Sequence, residues 1–221
     1  MFKQIILCFL AIFLISCSNE KAVTKNQNQP EINSKIINTN SQMDTIKTEQ
    51  FWSLIDKAVE SSHGDNELKE EFLTSELTKL SLEEIKDFEI AYRKAVIDAD
   101  DFKIMAAAKI IEGYVSDDSY LYFRNWIIGQ GKKVYDETLK KPDYLAKVVE
   151  EGESTDFESL LYVATEAYSR KTGKEEDESF PRDTAIGIGL DYDFGAPPTK
   201  GTDWTEKELP KLLPELWKKM N

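Results

Sequence analysis

Helix boundaries are the features that most restrict how this chain can fold. Ser81-Leu82-Glu83-Glu84 has the form of a capping box. In that motif the first and fourth side chains each accept a hydrogen bond from the other's backbone amide. Leu80 and Ile85 bracket it as a hydrophobic staple requires. The segment that follows puts Ile85, Phe88, Tyr92 and Val96 or Ala95 at helical spacing. Thr155-Asp156-Phe157-Glu158 repeats the box ahead of a segment with Phe157, Leu160, Leu161, Ala164 and Tyr168 facing inward. Earlier segments carry Phe51, Trp52, Ile55 and Val59, then Leu73, Leu77 and Leu80. Gly64, Gly113 and Gly173 stand where helices should end, a position that favours a left-handed residue.

No stretch alternates apolar and polar residues for more than a few positions. Thr184 to Gly195 comes nearest to a strand, and its glycines weaken it. The fold class expected is therefore all-α, an irregular single-domain bundle of about six to eight helices. Residues 174–202 interrupt the pattern as a long loop, ordered or semi-ordered, acidic first and then rich in Gly and Pro. Its Phe180, Ile186, Ile188, Leu190, Tyr192 and Phe194 are expected to lay it on the bundle. Helix resumes in short pieces because Pro210 and Pro214 lack an amide donor, with Leu209, Leu213 and Trp217 as the clamp.

The front of the chain follows different rules. After Lys3, Ile5 to Ile15 is an apolar run of eleven residues. A membrane span needs about 20 such residues, whereas a secretory leader needs only about 7–15. Leu14-Ile15-Ser16-Cys17 resembles the lipobox of bacterial lipoproteins. That resemblance implies a signal peptide over residues 1–16 and lipid, palmitate included, on Cys17. More than one acyl chain is needed for lasting attachment to the bilayer. Residues 17–43 then read as a lipidated Cys and flexible tether, rich in Asn, Gln, Ser and Lys and free of aromatics. A spacer of this kind reaches roughly 25–30 Å. Residues 44–221 form the helical domain. The location expected is the bacterial cell envelope, with a lipid-anchored membrane protein as the product.

Composition excludes several chemistries. With 28 basic and 41 acidic residues the net charge is −13, and it is −14 once Lys3 leaves with the leader. Such a chain is repelled by nucleic acid, and a cationic protein or peptide is the partner its charge favours. Cys8 departs with the leader and Cys17 is acylated, so the mature chain has no thiol for a disulfide, nucleophile or metal. His63 is the single histidine, which excludes the usual Cys/His zinc sites and gives a Ser–His–Asp triad only one base, in a loop. Gly187-Ile188-Gly189 lacks the strand and third glycine of a dinucleotide loop. Asp193-Phe194-Gly195 copies a kinase tripeptide without the remaining kinase motifs, and Asp191 with Asp193 lacks the rest of a calcium loop. No cofactor and no metal are indicated.

Residues 112–131 are the densest constellation. Ser116 or Asp117 can cap a helix there, with Asp117 and Asp118 near its positive end. Tyr120, Phe123 and Ile127 share one face, with Tyr122 and Trp126 beside it. Arg124 in such surroundings stacks on a ring or pairs with a carboxylate. The plain reading is a capped helix whose aromatics fill the core. The sharper one is a polar cleft with Asp117, Asp118, Tyr122, Arg124, Trp126, Tyr162 and Glu166 as ligand-binding candidates. Glu166 lies four residues after Tyr162, hence on the same helical face.

Three stretches resemble a bacterial family known as domain of unknown function 4240. They are Phe51 to Asp56, Ser116 to Ile128 with Gln130-Gly131, and Leu161 to Tyr168. The resemblance covers most of residues 44–173 and leaves the lipoprotein-like front outside it. That family brings no established activity, so no functional residue is carried over. Two functions are thus in view. One is a membrane-tethered lipoprotein with a helical binding domain and no catalysis. The alternative is a carboxylate-based hydrolase using Asp117, Asp118 or Glu166 as acid and base, with Arg124 holding an anion.

Overall fold

A computed structural model describes residues 47–221. The leader 1–16, Cys17 and the tether 17–43 lie outside the described residues. Among those described there is no strand. Helix α1 occupies residues 47–62. It is followed by α2 (Asn66–Lys79), α3 (Leu82–Asp98), α4 (Phe102–Glu112), α5 (Asp117–Gly129) and α6 (Lys132–Lys140). Two 3₁₀ turns, Pro142–Lys147 and Glu158–Leu161, lead to α7 (Val163–Thr172) and α8 (Pro181–Gly187). A third, Glu206–Glu208, precedes α9 (Leu209–Leu212) and α10 (Pro214–Met220). The fold is all-α as expected. Helices α1 to α7 have nine residues or more, while α8 to α10 have seven or fewer.

The local signals set the ends. Ser81 and Glu84 form the reciprocal capping box of α3, and Ser116 caps α5 with Ser119 returning the bond. Gly64, Gly113 and Gly173 all take positive φ, and the last two cap the ends of α4 and α7. The box expected at Thr155–Glu158 does not form. The Thr155 hydroxyl is drawn to Glu112, 2.7 Å away, and Asp156 instead accepts from the Glu158 amide. The segment therefore enters through a 3₁₀ turn before α7. Its inward set, Phe157, Leu160, Leu161, Ala164 and Tyr168, is buried as the spacing predicts.

One core joins these helices. Phe51, Trp52 and Ile55 of α1 meet Phe88 and Tyr92 of α3, and α5 adds Phe123, Trp126, Ile127 and Ile128. Burying each such side chain is worth about 1.5–3 kcal/mol, more than the roughly 1 kcal/mol of a typical cap. Close approach fixes one residue: a Cβ on Gly129 would stand 2.6 Å from the Phe157 ring. The C-terminal pieces dock through Leu209, Leu213 and Leu216, with Trp217 half-buried beside them. Buried Asp143 holds α10 by accepting from the amides of Glu215 and Leu216.

The long loop is half laid down. Phe180 is buried and Tyr192 packs on the core, but Ile186, Ile188 and Phe194 are exposed, the last completely at 100%. Pro181 starts α8 so that Ala185 turns inward and Ile186 outward. Polar contacts do the remaining work. Phe102 and Lys200 exchange backbone bonds with their neighbours across an isolated parallel bridge between Asp101 and Lys200.

Lys69 on α2 is an unexpected occupant of the interior, 1% exposed. Its ammonium donates to Asn66 at 3.0 Å and lies 5.7 Å from the centre of the Phe157 ring. It makes no ion pair among the described residues. Burial pulls its pKa below the ordinary 10.5, against the opposite pull of Glu153 and Asp65.

Two stability predictions follow from this packing. Gly129→Ala should lower the urea midpoint, because overpacking costs about 1–3 kcal/mol and the helix gains only about 1 from alanine. An unchanged or raised midpoint would show that the Phe157 contact yields. Lys69→Met should stabilise the protein at pH 7 by on the order of 1 kcal/mol, since a desolvated cation is removed. That advantage should shrink as pH rises toward 10.5: the folded amine sheds its proton first, so the wild type gains stability there. Denaturation curves at pH 7 and pH 10 check both the sign and the trend.

Candidate functional site

An open groove of about 270 Å³ lies between the start of α5 and the long loop. Asp100, Asp117, Asp118 and Asp193 line it, together with Tyr192, Thr199 and Arg124. The Ser116 cap places Asp117 and Asp118 in the first turn of α5, where both are exposed. Asp100 lies in the middle of the α3–α4 connection and accepts from the Thr199 hydroxyl at 3.3 Å. None of the four aspartates makes an ion pair among the described residues. Carboxylates so placed accumulate negative potential that a wholly solvated side chain would not.

Arg124 is 5% exposed and has no carboxylate partner among the described residues. Its Nη1 donates to the Val96 carbonyl at 3.2 Å and its Nε to the Tyr120 carbonyl at 3.4 Å. The guanidinium lies 4.6 Å from the centre of the Tyr120 ring. Stacking is thus the expectation that holds, while pairing with a neighbouring acid is not. The acids nearest in sequence, Asp117 and Asp118, stand at the solvent end of the helix and leave the guanidinium to backbone oxygens. Tyr120 is fixed in turn, its hydroxyl accepting from the Asp101 amide and donating to the Asp101 carbonyl, both at 3.0 Å. Burial raises its pKa, partly offset by Arg124.

The loop wall of the groove is held by α3. Arg93 and Glu89 form an ion pair of 2.6 Å with both side chains 2% exposed. Arg93 also donates to the Leu190 carbonyl at 3.0 Å and lies 4.4 Å from the Tyr192 ring centre. Tyr192 is the residue through which this contact reaches the groove. Burial raises the Glu89 pKa, against the pull of Arg93. In sequence the two look like an ordinary exposed i,i+4 pair, and nothing local marks them as interior.

The remaining candidates separate. Trp126 is 1% exposed and stacks on Phe123 in the core, so it faces no cleft. Glu166 is exposed and paired with Arg170 at 2.8 Å, and Arg170 also reaches Glu71 on α2. It is not part of the groove lining, so the four-residue cleft of Asp117, Asp118, Arg124 and Glu166 is not assembled. Tyr162 is exposed, and its hydroxyl donates to Glu158 at 3.1 Å. Tyr122 stands near the same carboxylate. Burial first, then the charges of Glu158 and Asp118, raise its pKa. Asp118, Tyr122 and Tyr162 therefore share a neighbourhood, and the residue joining them is Glu158. Its position four residues before Tyr162 is the one sequence signal that could have found it. Asp118 belongs to both this aromatic neighbourhood and the groove. Among the described residues, no group of three or more His, Cys, Asp or Glu side chains is placed to hold a metal ion.

Breaking the pair behind the loop wall should be costly. Arg93→Met leaves Glu89 buried and alone, and is expected to cost about 3–5 kcal/mol in urea denaturation. Glu89→Met combined with Arg93→Met should recover much of that loss, because no uncompensated charge remains. A loss under 1 kcal/mol in the single variant, or none recovered in the double, would contradict the pair's role.

No curated protein and no solved structure gives a significant match to this chain. A family described as protein of unknown function (DUF4240) matches residues 46–170, more than half of the 221. Those residues hold α1 to α6, the 3₁₀ turns before α7 and most of α7, and with them Asp100, Asp117, Asp118, Arg124 and the Glu89–Arg93 pair. The loop wall with Tyr192 and Asp193 lies beyond the match. The chain belongs to the DUF4240 family.

Proposed function

We propose that this protein is a lipid-tethered component of the bacterial envelope whose helical domain binds a cationic protein or peptide without catalysis. The observation that carries the reading is the groove in which four aspartates stand with no ion pair among the described residues. A lysine- or arginine-rich segment lying along it passes carboxylates from the α3–α4 connection, the first turn of α5 and the long loop. The tether rests on Cys17 and the leader before it, read from sequence. No helix among the described residues is long and apolar enough to cross a membrane.

The hydrolase reading draws less support. It needs an acid, a base and an anion-holding arginine around one bond. Glu166 is engaged with Arg170 outside the groove, and Arg124 is buried with its Nε and one Nη1 bond given to backbone carbonyls. Asp117 and Asp118 remain as adjacent, exposed carboxylates at a helix start, a setting that separates no acid from base.

Two measurements test the proposal. Fluorescence anisotropy with a labelled lysine-rich octapeptide should show binding that weakens steeply as salt rises. Asp117→Asn with Asp118→Asn should weaken it by about five- to tenfold, since exposed charge contacts are each worth up to about 1 kcal/mol. Equal binding by wild type and variant would count against the groove. Metabolic labelling with a palmitate analogue should mark the wild type and not Cys17→Ala; label on both, or on neither, would remove the tether.

A further inference from the structure

A groove of about 680 Å³ lies away from the acidic one, between the Pro142–Lys147 turn and α10. Its charge is opposite to that of the chain as a whole. Lys141, Lys147, Lys218 and Lys219 line it in a protein of net charge −13. All four are exposed. Charges farther than about 8 Å are screened at physiological salt, so an approaching ion senses this local set rather than the distant excess of carboxylates.

Three acids line the same groove against the four lysines; two are occupied, while Glu215 is exposed and makes no ion pair among the described residues. Asp143 is 5% exposed and accepts from the amides of Glu215 and Leu216. Glu137 is paired with Lys140, outside the lining, at 3.0 Å. The lysines are not neutralised in this way. None of the four makes an ion pair among the described residues. Lys219 donates to the Val149 carbonyl, which holds its ammonium in place while leaving its charge uncancelled. Lys147 lies 5.8 Å from the Tyr144 ring centre.

We infer that this groove is a second binding site, for phosphoryl anions. Four ammonium groups act as point charges on flexible stems, without the planar fork by which arginine grips a carboxylate. Such a set suits a phosphate whose oxygens can be approached from several directions. The phosphate can belong to a small soluble polyphosphate or to a lipid headgroup. The inference is independent of the cationic partner proposed for the other groove.

The test uses the full chain carrying Cys17→Ala, so that no acyl group intervenes. Backbone amide NMR spectra are recorded with inorganic tripolyphosphate in one arm and monomeric dihexanoylphosphatidylglycerol in the other. Saturable shifts centred on Lys141, Tyr144, Lys147 and Lys218 are expected in at least one arm. Response to tripolyphosphate alone identifies a soluble phosphate as the ligand class, and response to the lipid identifies a headgroup; either supports the site. Lys141→Glu with Lys218→Glu should weaken the interaction about tenfold or more while far-ultraviolet circular dichroism stays unchanged. Lys141→Arg with Lys218→Arg should retain it. Absence of saturable shifts at the groove in both arms, or equal shifts in the folded charge-reversed variant, would overturn the assignment.

Discussion

The acidic groove exists because α3 reaches across to hold a loop that could not hold itself. Residues 188–199 contain few side chains that pack inward, and Ile188 and Phe194 are exposed. What fixes the wall is Arg93, buried against Glu89, bonded to the Leu190 carbonyl and stacked near Tyr192. A buried ion pair is a poor source of net stability, since desolvating both charges offsets most of their attraction. Its effect here is positional. It brings Tyr192 and Asp193 opposite the start of α5, where Asp117 and Asp118 already stand.

Arg124 has the matching role on the other side. By bonding the Val96 and Tyr120 carbonyls it ties α5 to α3. Arg93 is neutralised by Glu89, whereas Arg124 keeps its positive charge and lines the groove, so four carboxylates there stand against one guanidinium. The local balance stays negative because the aspartates outnumber that arginine. The two grooves divide the surface by sign, with aspartates gathered at one end of α5 and lysines beside α10.

Much of the fold is legible in the sequence because its signals are local. Ser81, Ser116, Gly113 and Gly173 act within a few residues of themselves, so spacing is enough to read them. The failures are tertiary. Thr155 meets every local requirement of a capping box, and Glu112 on another helix takes its hydroxyl. Glu89, Arg93 and Lys69 have the composition of a solvated face, and only the packing of α7, α8 and the loop around them makes them interior. Ile186, Ile188 and Phe194 fail in the opposite sense, being apolar yet exposed. Within the site, Asp117 and Asp118 were found from their place beside a cap. Asp100 and Asp193 were not, because residues so far apart in the chain meet only through the loop. Trp126 belongs to the core, and Glu166 to a surface pair with Arg170.

The central claim is that one groove presents four carboxylates to a single cation-bearing partner. Carboxylate-detected NMR of aspartate side chains, followed during addition of a lysine-rich peptide, tests it most directly. The account predicts that the resonances of Asp100, Asp117, Asp118 and Asp193 move together, with one shared midpoint. Independent midpoints, or movement confined to carboxylates elsewhere on the surface, would contradict it.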